Sequence, residues 1–177
     1  KANNPWTKSL NYAGLTFNEN QDFTIVELDF QYGKGNFRNV NAPHAFNKTS
    51  LQTESFRRLN KVFFYGKFSF DYMNRLKMGW CNVINPYRSP IFFADSMPGR
   101  QTLETYMLEG GIGYMIGNHW SIGAKIDYLT ASNAKKKDAR NKNTYVNLKV
   151  YPGVVYRSQY VNLGLNFIYQ REIENIN

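Results

Sequence analysis

Cys81 is the only cysteine in 177 residues, so no disulfide can form within the chain. A cysteine-built metal cage is excluded for the same reason. No run of about 18 apolar residues occurs, which removes a membrane-spanning helix from consideration. The opening stretch KANNPWTKSLNY lacks an apolar signal core. An exported form would therefore be a mature or trimmed one. Low-complexity tracts and domain boundaries are also missing. The reading is one domain over residues 1–177, with residues 1–21 as an irregular N-terminal segment. Acid is scarce, with 13 Asp and Glu against 22 Lys and Arg, a net charge of +9. That imbalance suits an anionic partner such as nucleic acid, lipid phosphate or an acidic ligand.

Aromatic residues, in contrast, are plentiful at 16%. Yet the mean hydropathy is −0.54, on the polar side. Alternating strands reconcile the two, since every second residue is apolar and its neighbours are not. HWSIGAKIDYL, from His119 to Leu129, sets Trp120, Ile122, Ala124, Ile126 and Tyr128 against Ser121, Gly123, Lys125 and Asp127. The same period runs through Asp22–Tyr32, Val62–Arg75, Thr102–Ile116, Thr144–Tyr156 and Tyr160–Glu172. Thr49–Leu59 is a further candidate strand with weak alternation.

Turn lengths keep these faces in phase. Facing residues of an antiparallel pair share a side of the sheet. A three-residue turn near Gly117 and a two-residue turn at Ser158-Gln159 both preserve the apolar face, and Asn60-Lys61 supplies a third short turn. The other connections, about 33–48, 76–101 and 131–143, read as long polar loops. Short turns at one end and long loops at the other are the asymmetry of an outer-membrane barrel. The expected fold is therefore all-β, an antiparallel up-and-down meander forming part of a transmembrane outer-membrane β-barrel.

Periodicity alone does not say which face is inside, because a soluble barrel buries the face that a membrane barrel shows to lipid. The positions of the aromatics favour the membrane barrel, with a soluble lipocalin-like barrel or sandwich left as the alternative. Tyr114, Trp120 and Tyr156 lie beside the short turns, while Tyr106, Tyr128 and Tyr169 lie toward the long loops. Aliphatic residues fill the space between. Trp120 to Tyr128 spans about 26 Å at ~3.3 Å per residue. A tilt near ~40° reduces that to roughly 20 Å along the normal, close to a lipid-facing band flanked by aromatic girdles. The opposite face carries Glu27, Asp29, Lys67, Asp71, Glu109, Lys125, Asp127 and Lys149, read as lumenal charges that pair across the interior.

Four segments carry a family resemblance: YGKFSFD (Tyr65–Asp71), NPYRSPIFFADS (Asn85–Ser96), LEGGIGYMIGNHWSIGAKIDY (Leu108–Tyr128) and KKKDARNKN (Lys135–Asn143). Together they resemble an uncharacterised family of outer-membrane β-barrels from Bacteroidota, a domain of unknown function. The last segment is similar to a family loop written Asp-Pro-Arg-Asn, with Ala139 in place of the proline. The likeness covers about the second two-thirds of the chain. It implies a fold and an outer-membrane location, but no reaction. Members of the family are longer, so the resemblance implies that this chain is part of a barrel. An odd or small strand count and the ending REIENIN agree with that expectation.

Chemistry is sparse. Glu27 and Asp29 stand at i, i+2, but a charge ladder accounts for them better than a cation site. His44 and His119 lack the convergent acid and nucleophile that catalysis requires. The glycines of EGGIGYMIG (Glu109–Gly117) continue a strand rather than open a phosphate-binding helix, so they read as small residues easing strand crowding. Two loops are candidate contacts. Lys135, Lys136, Lys137, Arg140 and Lys142 suit lipopolysaccharide phosphates or an acidic surface partner. Pro86 and Pro90 bracket Tyr87 and Arg88, and Ile91, Phe92 and Phe93 form an apolar cluster that suits a docking protein or the barrel mouth, with plain loop packing as the simpler reading. Nucleic acid is disfavoured, because the aromatics lie on a different face from most charges. No catalytic residue, metal or cofactor is expected.

The resulting expectation is an outer-membrane protein of a Gram-negative cell. It would be a structural or accessory subunit of a surface nutrient-uptake complex, with a surface lipoprotein or transporter subunit as partner. A pore with a charged lumen is the alternative within the same fold. A soluble lipocalin-like barrel and a membrane-barrel hydrolase lie outside it.

Overall fold

The computed structural model describes residues 9–17, 22–37, 39, 42–79, 84, 98–136 and 138–175, with the side chains of 138–141 excepted. The described chain is all-β. Its strands are β1 (Phe23–Lys34), β2 (Ala45–Leu59), β3 (Val62–Met78), β4 (Gly99–Ile116), β5 (Trp120–Lys135), β6 (Asp138–Arg157), β7 (Asn162–Asn166) and β8 (Tyr169–Asn175). They form one antiparallel meander in sequence order, β1 to β7, with β8 also paired to β6. Among the described residues β1 pairs only with β2, and β7 and β8 pair only with β6. The sheet is curved but not closed, with an edge at each end.

The short turns lie where the alternation requires them. Leu59 faces Val62 across Asn60-Lys61, and Asn60 takes a left-handed φ of 52°. Ile116 faces Trp120 around Gly117, whose φ is +63°. At the last turn Arg157 faces Asn162, so residues 158–161 lie between them, a longer turn than Ser158-Gln159. Both lengths are even, so the faces are unchanged.

β2 and the long connections depart from the sequence reading. β2 is a full strand despite its weak alternation. Its Thr49, Thr53, Ser55 and Arg57 face the same side as the apolar residues of β3, and polar residues line its other side too. The expected loop at 131–143 is instead a continuous hairpin: β5 runs to Lys135 and β6 begins at Asp138. The expected loops at 33–48 and 76–101 shrink as their flanking strands extend to Lys34, Ala45, Met78 and Gly99.

The last strand is interrupted, and Pro152 is the reason. Val150 faces Tyr169 and Gly153 faces Asn166, so one register continues through both halves. The Phe167 amide donates to the Pro152 carbonyl at 2.9 Å. Pro152 has no amide with which to return the bond. The ladder loses a rung there, and β7 and β8 separate.

Burial is inverted relative to a soluble barrel. Leu108 is 55% exposed, Trp120 51% and Ile126 48%, whereas Lys125 is 8% exposed. Leu148 and Val154 are half-buried between neighbouring strands. The apolar face therefore points away from the concave side, and the polar face is covered. A buried aromatic cluster lies on the concave side, where Tyr12, Leu15, Phe56 and Phe63 pack together with Phe23 and Tyr65. Phe56 and Phe63 ring centroids are 4.4 Å apart. Phe63→Ala is expected to lower stability by about 3–5 kcal/mol, the usual loss for a buried ring. Urea unfolding followed by Trp fluorescence measures it.

Candidate functional site

Three glycines facing one another in adjacent strands make a shelf on the concave side. Gly113 of β4 faces Gly123 of β5, and Gly123 faces Gly153 of β6. Lacking side chains, they let another backbone approach the sheet. A Cβ at Gly123 would come within 2.6 Å of the Ala13 amide nitrogen, and one at Gly153 within 2.4 Å of Asn11 Oδ1. Gly111, one step along the same face, lies under the Tyr12 ring. Gly66 and Gly110 point to the other side and meet nothing within 4 Å.

The occupant of the shelf is a 3-10 turn, Tyr12–Phe17, in the segment expected to be irregular. Asn11 starts it as a cap: its Oδ1 accepts from the Ala13 amide at 3.2 Å, and its carbonyl accepts from the Gly14 amide. The Asn11 amide also donates to the carbonyls of Val154 and Leu165, at 3.1 and 3.0 Å, joining β6 to β7. Thr16 Oγ1 and Ser121 Oγ lie 2.8 Å apart, and both donate to the Ala13 carbonyl. Arg157 closes the far end, with its guanidinium 5.5 Å from the Phe17 ring centroid and a bond to the Phe17 carbonyl. Each such bond contributes about 0.5–1.5 kcal/mol net. The set as a whole therefore competes with the entropy of ordering these few residues.

Above the shelf is a belt of charge. Across the sheet, Glu54 faces Lys67, Lys67 faces Glu109, Glu109 faces Asp127, and Asp127 faces Lys149. Glu109 and Asp127 are the exception, because two acids directly opposite repel. Lys125 reaches up between them, with Nζ 2.9 Å from Glu109 Oε1 and 3.2 Å from Asp127 Oδ1. The ammonium also lies 5.1 Å from the Tyr12 ring centroid and 5.6 Å from that of Tyr151. The Tyr12 hydroxyl donates to Glu109. Burial, and then this bond to an acid, push the Tyr12 phenol well above its ordinary value near 10, so it stays a neutral donor. Tyr65 stands edge-on to Tyr12 and donates to Glu54 at 3.2 Å.

Of the eight expected lumenal charges, five fall in or beside this belt: Lys67, Glu109, Lys125, Asp127 and Lys149. Asp71 pairs with Lys48 at 3.3 Å, farther along the same face. Glu27 and Asp29 stay on exposed β1, bonded to Gln52 and Gln31, and do not join it. The six girdle aromatics all share the outward face. Trp120 and Tyr156 are in contact at 4.8 Å, Tyr106 packs on Phe70 at the same distance, and Tyr114, Tyr128 and Tyr169 are exposed. Tyr87, Arg88, Ile91, Phe92, Phe93 and Lys137 lie outside the described residues, as does the Arg140 side chain. Lys136 and Lys142 are exposed, and Lys135 lies against Gly99. His119 Nδ1 is 2.9 Å from the Arg157 carbonyl, a structural contact at the short-turn end.

Asn11, Tyr12, Thr16 and Ser121 were not among the expected site residues. The signal that could have found them is glycine phasing, since Gly111, Gly113, Gly123 and Gly153 all fall on the polar face.

A family model described as a family of unknown function (DUF6850) matches residues 12–177. The chain belongs to that family. No curated protein and no solved structure matches it. The matched region begins at Tyr12, so the shelf-bound turn is inside it.

Two outcomes test the site. Gly123→Ala is expected to destabilise the protein by about 1–3 kcal/mol, as overpacking does, while Gly110→Ala leaves it within ~0.5 kcal/mol. Unfolding midpoints of the two variants give the comparison. Lys125→Met leaves two facing acids without their cation and is expected to lose about 3–5 kcal/mol. Adding Glu109→Gln to it should restore part of that loss in the same unfolding assay.

Proposed function

We propose that this protein forms part of the wall of an outer-membrane β-barrel and serves as a structural or accessory subunit of a surface uptake complex. The observation that carries this reading is the inverted sheet, apolar and exposed outside, charged and covered inside. On the outward side, apolar rows run from Ile116, Trp120 and Tyr156 up to Phe70, Tyr106 and Val146. The next row is polar, with Glu104, Ser132 and Thr144 beside Tyr72. Along β5 the band from Trp120 to Thr130 is about 33 Å at ~3.3 Å per residue. A ~40° tilt turns this into roughly 25 Å, the height of the apolar belt of such barrels. Trp120, Tyr156 and Tyr114 at one margin, and Tyr106 at the other, supply amphipathic rings where water meets hydrocarbon.

An accessory role is favoured over an open pore because the turn Tyr12–Phe17 lies across the interior beside the charge belt. A catalytic role finds no support in His44 or His119, which stand apart from the belt. Beyond the apolar rows, exposed Lys136 and Lys142 at the β5–β6 hairpin suit lipopolysaccharide phosphates, and a surface lipoprotein is the partner class we propose for that end.

Liposome flotation of the refolded protein tests the membrane assignment, with heat-dependent mobility on SDS gels as a second readout. The wild type is expected to float with the vesicles. Ile126→Arg and Leu108→Arg should each weaken insertion by about 2–4 kcal/mol. Equal flotation of these variants, or a wild type that stays in the aqueous layer, would overturn the reading.

A further inference from the structure

We infer that residues Asn11–Phe17 are a latch: a separable piece of the chain that docks on the glycine shelf and seals the concave side over Lys125. The inference rests on the barrel reading for its consequence, a closed interior, but not for its geometry.

The segment is joined to the wall by side chains that are otherwise redundant to the sheet. The strands supply their own backbone ladder. Asn11 adds second bonds to the carbonyls of Val154 and Leu165, Tyr12 adds one to Glu109, and Thr16 meets Ser121. The segment carries no charged side chain of its own; its contacts with charged groups run from the Tyr12 ring and hydroxyl to Lys125 and Glu109, and from the Phe17 ring and carbonyl to Arg157. Tyr12 and Leu15 also pack against Phe56 and Phe63, but the segment can leave the shelf without stranding a charge of its own. The wall keeps its integrity on departure, since Lys125 stays paired to Glu109 and Asp127 within β4 and β5. What departure changes is access. Ser121, 0% exposed, and Lys125 would then face the open concavity, and the belt of Glu54, Lys67, Glu109, Asp127 and Lys149 would line it. A latch over such a belt makes the closed form the resting form and gives a passing ion or polar solute a charged path only when the latch is out.

A buried cysteine reports the latch directly. Ser121→Cys in a Cys81→Ser background is treated with a water-soluble maleimide in the intact protein. With the segment in place, labelling is expected to be at least about tenfold slower than in the denatured chain. Adding Asn11→Ala and Tyr12→Ala should raise the rate at least about tenfold, with the strand content by circular dichroism unchanged. Gly110→Ala, on the far face, should not alter it. Fast labelling with the segment intact would overturn the latch, as would no acceleration in the Asn11 and Tyr12 variant. Loss of strand signal in that variant would overturn it too, because the segment would then be part of the wall's core. Flotation, run on the same samples, fails separately if the barrel reading is wrong.

Discussion

Two carboxylates that must face each other set the terms for the concave side. Glu109 and Asp127 are neighbours because β4 and β5 pair with no register freedom around Gly117. Their repulsion is tolerable only with a cation between them, and Lys125 is that cation. A lysine held at 8% exposure needs its remaining surroundings to be polarisable or hydrogen-bonded, and the faces of Tyr12 and Tyr151 provide that. Tyr12 can lie there only if its backbone comes close to the sheet. The glycines at 113, 123 and 153 make that approach possible. A single electrostatic conflict in the middle of the sheet thus leads, step by step, to the ordered turn Tyr12–Phe17.

The same logic explains why the interior is not an oily core. Beside the aromatic cluster around Phe63 and buried Ala131, Tyr145, Tyr151 and Val155, the covered side holds Ser121, Thr16, Asn11, Gln101, Asn133, Asn143 and Asn147. Buried polar groups of this kind must be satisfied in place, and they specify one arrangement more strictly than interchangeable aliphatics do. The outward side carries the opposite character, since its Leu, Ile and Val residues make few contacts beyond their strand neighbours.

Strand identity and facing were legible because alternation persisted wherever one side was apolar. Trp120 to Tyr128 is the clearest case, and its outward set lies where the period places it. Legibility failed beyond the apolar rows. From Ala131 through Asn143 both sides of the ladder are polar, so the period-2 signal vanishes while the hydrogen bonding continues, and a hairpin reads as a loop. β2 hides for a related reason: Thr53 and Arg57 on one side match Glu54 and Gln52 on the other. The charge belt was half visible. Its members could be named from their face, but the facing of Glu109 with Asp127 depends on register, and the role of Lys125 follows only from that. Residues 11–17 have no periodicity of their own. Their conformation is dictated by strands far away in sequence, which no local pattern encodes.

That distance bears on how the molecule is made. Asn11 bonds to Val154 and Leu165, positions separated from it by 143 and 154 residues. The segment precedes all eight described strands in the chain, yet part of its seat belongs to β6 and β7, near the other end of the meander. Gly153 and the Leu165 carbonyl are in place only after β6 and β7 have paired. Loop-closure entropy postpones such a contact until the intervening strands have shortened the path. The full seat of the turn is therefore a property of the assembled sheet: Tyr12 finds Glu109 and Gly111 on β4, but Asn11 finds both of its carbonyl partners only when β7 has joined β6.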